Sequence, residues 1–253
     1  MHQHHSGPPT RVEYVLFDMD GLIIDSERVY TDVTNQILEP YGKKMTWDIK
    51  AGCMGKPEMD AARYLYSFFS DIPLPIETYL AEKNRILDEI WPTVTLLPGA
   101  RKLIQHLKAH NIPIAVATSS RRKKFILKTG HLGDVFDCFE GKVICGDDTE
   151  YSMRGKPDPD IFLTAARELL GRNVGHPLEG CTYVQRRERS KGLVFEDSLP
   201  GVQSGKRAGM SVVWVPDPRL LDVGYSGKER ADRVLGSLEE FNPEEWGLPA
   251  YDT

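Results

Sequence analysis

The sequence has little cysteine, no long apolar run and no surplus of positive charge, and each shortage removes a class of protein. Its four cysteines, Cys53, Cys138, Cys145 and Cys181, form no C-x-x-C pair and keep no regular spacing in 253 residues, which argues against a disulfide scaffold. They read as reduced thiols, so a cytoplasmic location is expected, with the nucleus as the other reducing compartment. The longest internal stretch without a charged side chain, Ala109 to Ser120, is twelve residues long, well short of the roughly 18 needed to span a bilayer. A soluble protein with no membrane partner is expected. Lys and Arg number 32 against 37 Asp and Glu, a net charge of −5. That balance lacks the basic excess used to bind a phosphate backbone, so nucleic acid is not an expected partner. Residues 1–10 contain no apolar segment of the kind a secretory signal needs and read as a disordered tail or tag.

Hydrophobic residues make up 40% of the chain, to which 22 glycines add, a composition typical of globular proteins. The length allows between one and two domains. Five short, β-branched apolar runs stand out: Val12 to Phe17, Ile112 to Ala117, Lys142 to Cys145, Leu193 to Phe195 and Ser211 to Val215. None alternates strictly, which suits strands buried on both faces of a parallel sheet. Helical periodicity separates most of them, as in Ala100 to His110 and Asp160 to Leu170. The class predicted is α/β, a Rossmann-like doubly wound parallel sheet. From Ser26 to Leu97 the rhythm changes: no strand pattern appears, and helical patterns cover Ser26 to Leu38, Pro57 to Phe69 and Ile76 to Ile90. This insert is expected to be a small α-helical cap domain (26–97) hinged on a core made of 11–25 and 98–253.

Four sites at predicted strand ends carry the chemistry. In Phe17-Asp-Met-Asp-Gly21, Asp18 and Asp20 are two apart and leave the strand on one side, at the carboxyl edge where open α/β sheets bind ligands. Two such close carboxylates call for a cation, and oxygen donors favour Mg²⁺. Thr118 and Ser119 bring hydroxyls to the same edge ahead of a helix start, an anion cradle. Lys156, in Gly155-Lys-Pro-Asp-Pro-Asp160, can neutralise a phosphate, and Glu196 and Asp197 end another strand. Each alone also fits a solvated turn, a helix cap or a surface lysine; their joint occurrence does not.

Asp18-Met-Asp-Gly21, Thr118, Lys156 and Glu196-Asp197, in this order, resemble the four motifs of the haloacid dehalogenase-like hydrolases. The resemblance runs from about Tyr14 to Val215 and includes a helical cap inserted after the first motif. It implies that Asp18 is the nucleophile and forms an aspartyl-phosphate, and that Asp20 protonates the leaving group and then activates water. It further implies Mg²⁺ held by Asp18, the Asp20 carbonyl and Asp197, with Glu196 beside it, and phosphoryl oxygens clamped by Thr118, Ser119 and Lys156. The second acid, Asp20, points to a phosphatase acting on a small phosphomonoester rather than a dehalogenase. A phosphosugar mutase of the same cap class and a non-catalytic phospholigand-binding protein are the alternatives.

Longer stretches, including Phe17 to Glu27, Leu97 to Ala100, Gly155 to Phe162 and Val194 to Ser198, look like the pseudouridine-5′-phosphatase-like branch, particularly its fungal members. Nucleotide or sugar monophosphates, pseudouridine 5′-phosphate among them, are the substrates this implies. The chain departs from the branch in a longer basic connection between Gly171 and Lys191. In the cap, the loop Gly52-Cys-Met-Gly-Lys56 is expected to read the substrate through Gly55 and Lys56. A small phosphorylated metabolite is the expected partner, and the protein is expected to be a monomer. His106 and His110 have the spacing of a zinc pair, but Leu107 stands where such a helix needs glutamate. Arg121-Arg-Lys-Lys124 reads as a solvated helix face.

Overall fold

The computed structural model describes residues 11–54, 56, 58–177, 180–222 and 227–252. Among them six strands form one sheet: β1 (Tyr14–Phe17), β2 (Ile114–Thr118), β3 (Val143–Cys145), β4 (Gly192–Glu196), β5 (Ser211–Trp214) and β6 (Arg233–Val234). Their order is β3-β2-β1-β4-β5-β6, and every pairing is parallel. The five predicted strands are all there, shifted by a residue or two at their ends. The short edge strand β6, whose two residues are exposed, had no apolar run to announce it.

Burial on both faces explains the continuous apolar runs. Along β1, Val15 and Phe17 join one core layer, and Tyr14 and Leu16 join the other. The same alternation divides Ile114 and Val116 from Ala115 and Ala117 on β2. The first layer is closed by α5 (Ala100–Ala109), through Leu103, Ile104 and Leu107, and by the short α7 (Gly133–Phe136). The second is closed by α8 (Asp160–Thr164), continued by a π-helical turn over Ala165–Leu169, and by α10 (Leu199–Arg207). Between them in the chain come α6 (Arg122–Thr129) and, in the basic connection, α9 (Tyr183–Arg189). The sheet is thus wound on both faces, as predicted.

Between β1 and α5 the described residues contain four α-helices and no strand longer than an isolated bridge: α1 (Ser26–Leu38), α2 (Trp47–Cys53), α3 (Glu58–Ser67) and α4 (Ile76–Ile90). Three match the predicted patterns. The fourth, α2, carries two buried side chains, Ile49 and Lys50, too few to show a periodicity. The two connections to this insert run side by side. Ile24 bridges Leu96 antiparallel, and the Asp25 N–H donates to the Thr95 carbonyl at 2.9 Å.

Candidate active site

The strand order reverses between β1 and β4, where open α/β sheets offer a crevice beyond the strand ends. Phe17 and Phe195 are register partners and their rings stack at 5.1 Å, so the residues that follow them emerge together. The Asp18 N–H donates to the Phe195 carbonyl at 3.0 Å. Asp18, Glu196 and Asp197 are all buried, and one carboxylate oxygen of each lies within 4.8 Å of the other two.

Lys156, delivered by the loop ahead of α8, sits among these carboxylates. Its ammonium donates to Asp18 Oδ1, to Glu196 Oε1 at 2.6 Å and to the Ala117 carbonyl at 3.3 Å, which occupies all three of its N–H groups. Burial works against its charge, but Asp18 and Glu196 outweigh it and raise its pKa. Glu196 Oε2 is held from the other side by the N–H and hydroxyl of Ser198 at 3.2 and 3.0 Å. Burial pushes the Asp18 pKa up against the pull of Lys156, with Glu196 adding to the rise. Asp197 is also raised well above its ordinary value, by burial and by the neighbouring charges of Glu196 and Asp18. Three buried carboxylates against one ammonium leave an excess of negative charge that protons or a divalent cation must offset. Their hard oxygen donors, set close together, suit Mg²⁺.

Asp20 stands two residues beyond Asp18 and has its own clamp. Lys128 donates to Asp20 Oδ1 at 2.5 Å, and the Ser120 hydroxyl donates to Asp20 Oδ2 at 2.7 Å. Burial alone would raise this carboxyl, but the Lys128 ammonium and these hydrogen bonds bring it below the ordinary carboxylate range. Gly21 then turns the chain with φ at +78°, and a Cβ there would strike the Asp197 carboxylate, so the turn tolerates glycine alone.

A cavity of about 470 Å³ opens beside Gly21 and Asp197 and extends between the core and the insert. Lys50, Arg28 and Thr31 line it from the insert, and Asp217 and Arg219 from the segment after β5. Lys50 is buried and donates to the Glu27 carbonyl at 3.1 Å, with the Glu27 carboxylate 3.4 Å away. The Arg219 guanidinium lies 4.1 Å from the Trp47 ring centroid, so core and insert also meet across the cavity.

Residues 15–215 match the family described as haloacid dehalogenase-like hydrolase. The chain belongs to the haloacid dehalogenase-like hydrolases. It is 42% identical to "(DL)-glycerol-3-phosphatase 2" of Arabidopsis thaliana over 95% of its own length and 93% of that protein. It is 40% identical to the "Probable pseudouridine-5'-phosphatase" of Drosophila melanogaster over 95% of its own length and 96% of that protein. A solved family hydrolase from Deinococcus radiodurans R1, with bound phosphate and sodium, has the same fold. Its TM-score is 0.74 at 24% identity, covering 95% of this chain and 99% of the other. The pseudouridine-5′-phosphatase-like branch is therefore supported alongside the family.

Most of the family motif residues lie at one sheet edge. Thr118, buried at the end of β2, accepts from the Ser120 N–H at 3.0 Å, while Ser119 is exposed. Gly55 lies outside the described residues. Lys56 is exposed, with its ammonium 5.6 Å from the Tyr64 ring, and does not line the cavity. Gly52 and Cys53, expected in a loop, are in α2. The insert side chains that do face the cavity include Lys50 and Arg28, which the sequence reading did not single out. It also missed Ser120 and Lys128. The hydroxyl after Ser119 offered a local signal for the first; a lysine between Leu127 and Thr129 offered none for the second. His106 and His110 are brought near Asp252, and their ring nitrogens bond the Pro249 and His106 carbonyls at 2.9 and 3.0 Å.

Proposed function

We propose that this hydrolase is a Mg²⁺-dependent phosphatase acting on a small phosphomonoester, a nucleotide or sugar monophosphate, through an aspartyl-phosphate on Asp18. The observation that carries the reading is the buried group of Asp18, Glu196, Asp197 and Lys156 at the β1–β4 strand ends. Asp18, the Asp20 carbonyl and Asp197 would hold the ion, with Glu196 beside it; the bound cation would supply charge neutralisation for the transferring phosphoryl group. Asp18 attacks phosphorus, and Lys156 orients its carboxylate while opposing the charge that gathers on the phosphoryl oxygens. Thr118 and Ser119 donate to those oxygens. Asp20, once it has taken up a proton, gives it to the departing alkoxide and takes one from the water that later cleaves the acyl phosphate.

The insert, residues 26–97, acts as a cap that shields this chemistry from bulk water. The leaving group occupies the cavity beneath it, where Lys50, Glu27 and Arg219 offer partners for hydroxyl groups. Glycerol 3-phosphate and pseudouridine 5′-phosphate, suggested by the names of the two relatives, belong to the class that fits. Purified protein with MgCl₂ is expected to release phosphate from members of a panel of nucleotide and sugar monophosphates. That release is expected to stop with chelator and in Asp18→Asn. Turnover that survives both, or tight phospholigand binding with no turnover anywhere in the panel, would overturn the reading.

A further inference from the structure

Lys128 has no exposed surface, yet it carries a charge and is not one of the residues by which the family motifs were identified. Its ammonium makes three hydrogen bonds: to Asp20 Oδ1 at 2.5 Å, to the Tyr30 hydroxyl at 3.1 Å and to the Ser120 hydroxyl at 3.1 Å. Every N–H of the group is thereby used. The Trp91 ring centroid lies 4.4 Å from the ammonium and that of Tyr30 5.3 Å, while the two rings meet edge to face at 5.0 Å. The lysine comes from the core helix α6. Tyr30 comes from α1 of the insert and Trp91 from the turn that follows α4.

We propose that Lys128 is the positioning residue of Asp20, and that Tyr30 and Trp91 make the orientation of this acid depend on the insert being seated against the core. The inference rests on the reading of Asp20 as the proton donor to the leaving group. A carboxyl group turns freely about its last torsion unless neighbours fix it, because that torsion has broad wells. Here Lys128 holds one oxygen and Ser120 the other, and Ser120 is itself bonded to Lys128. The carboxyl plane therefore has one orientation.

A general acid must place its oxygen within hydrogen-bond reach of the leaving atom, and an ångström of misplacement costs about 10²-fold in rate. Stability alone gives the fold little reason to keep a charge here. Burying an ion pair is often no better for stability than burying apolar side chains of the same volume at both positions. The pair sits instead on the carboxyl group whose direction matters. The aromatic partners extend this control to the insert. If the insert lifts, Lys128 loses an acceptor and two aromatic faces that attract its charge, and Asp20 loses a fixed partner.

The test separates positioning from packing through the leaving group. Departure of p-nitrophenolate needs no proton, whereas departure of an alkoxide does. The measurement is kcat/KM, which reports phosphoryl transfer to the enzyme and not the later hydrolysis of the acyl phosphate. One substrate is p-nitrophenyl phosphate. The other is whichever of glycerol 3-phosphate, ribose 5-phosphate and uridine 5′-monophosphate the wild type cleaves fastest. Lys128→Met is expected to lower kcat/KM for the alkyl ester roughly 10- to 100-fold and that for p-nitrophenyl phosphate by less than about threefold. Tyr30→Phe, which removes one acceptor, is expected to act in the same selective sense by a fewfold.

Asp20→Asn is the reference: selective loss in this variant supports the proton-donor role, and its absence overturns that role and the inference with it. If Asp20→Asn is selective while folded Lys128→Met and Tyr30→Phe keep the wild-type ratio of the two substrates, the inference alone fails. Should Lys128→Met not unfold cooperatively, Tyr30→Phe and Ser120→Ala decide by the same ratio.

Discussion

Glu196 can sit where it does only because residue 201 has no side chain. Gly201 lies in the first turn of α10, and a Cβ built there would overlap the Glu196 carboxyl group. That carboxyl has no free direction to retreat, since Lys156 holds one oxygen and Ser198 the other. Gly201→Ala should therefore cost about 1–3 kcal/mol through overpacking and displace Glu196 enough to lower kcat/KM by about tenfold or more. Thermal melting and phosphate release measure the two effects, and a variant indistinguishable from wild type in both would show that the carboxylate moves without cost. Lys156 makes the complementary case. Removing one partner of a buried ion pair leaves the others uncompensated and costs about 3–5 kcal/mol. Lys156→Met should lose that much in urea denaturation under chelator, while Lys123→Met on the exposed side of α6 should stay within about 0.5 kcal/mol of wild type.

At the scale of elements, α9 shows how a short helix can be secured locally. Thr182 accepts from the Gln185 N–H at 3.2 Å, and the Gln185 side chain accepts in return from the Thr182 N–H at 2.9 Å. This reciprocal cap secures seven residues that otherwise present Tyr183 and Val184 to solvent. Thr182→Ala should destabilise the helix by about 1 kcal/mol, read as faster amide exchange over residues 183–189 with β4 unchanged; an equal acceleration in β4, or no change in either, would contradict the local role. The core strands were legible because a strand buried on both faces must be apolar at every position, as Tyr14 to Phe17 is. The ends of β1 and β4 were legible too, because carboxylates directly after apolar runs fix Asp18, Glu196 and Asp197 at one edge. Lys128 was not, since its burial comes from Tyr30 and Trp91, far away in sequence, and not from anything near it in α6. Lys56 misled for a related reason: a lysine in a glycine loop resembles a ligand-binding residue, but the helix α2 before it turns Lys50 to the cavity instead.

For the molecule as a whole, the buried acidic group makes stability depend on pH and on a divalent cation together. Burial, and after it the charge of Glu196, raise the pKa values of Asp197 and Asp18 in the folded chain, whereas in the unfolded chain both titrate near the usual value of about 4. A group shifted upward on folding stabilises the fold fully below its unfolded value, and that contribution is lost as pH rises through the folded value. In chelator, then, these two residues withdraw stability as the solution moves from about pH 4 to neutrality. A cation binds the ionised carboxylates, competes with the protons and so restores most where they have left. Ligand present at a hundredfold its Kd adds about 2.7 kcal/mol, which in a chain of this size corresponds to roughly 5–10 °C in Tm. Excess MgCl₂ is expected to raise Tm by that order at pH 8 and by clearly less at pH 5, with little rise at either pH in Asp197→Asn. An equal rise at both pH values, or a full rise in Asp197→Asn, would place the cation elsewhere. The net charge of −5 belongs to the same account, because the carboxylates of Asp18, Glu196 and Asp197 form a compact negative centre that a divalent cation would neutralise.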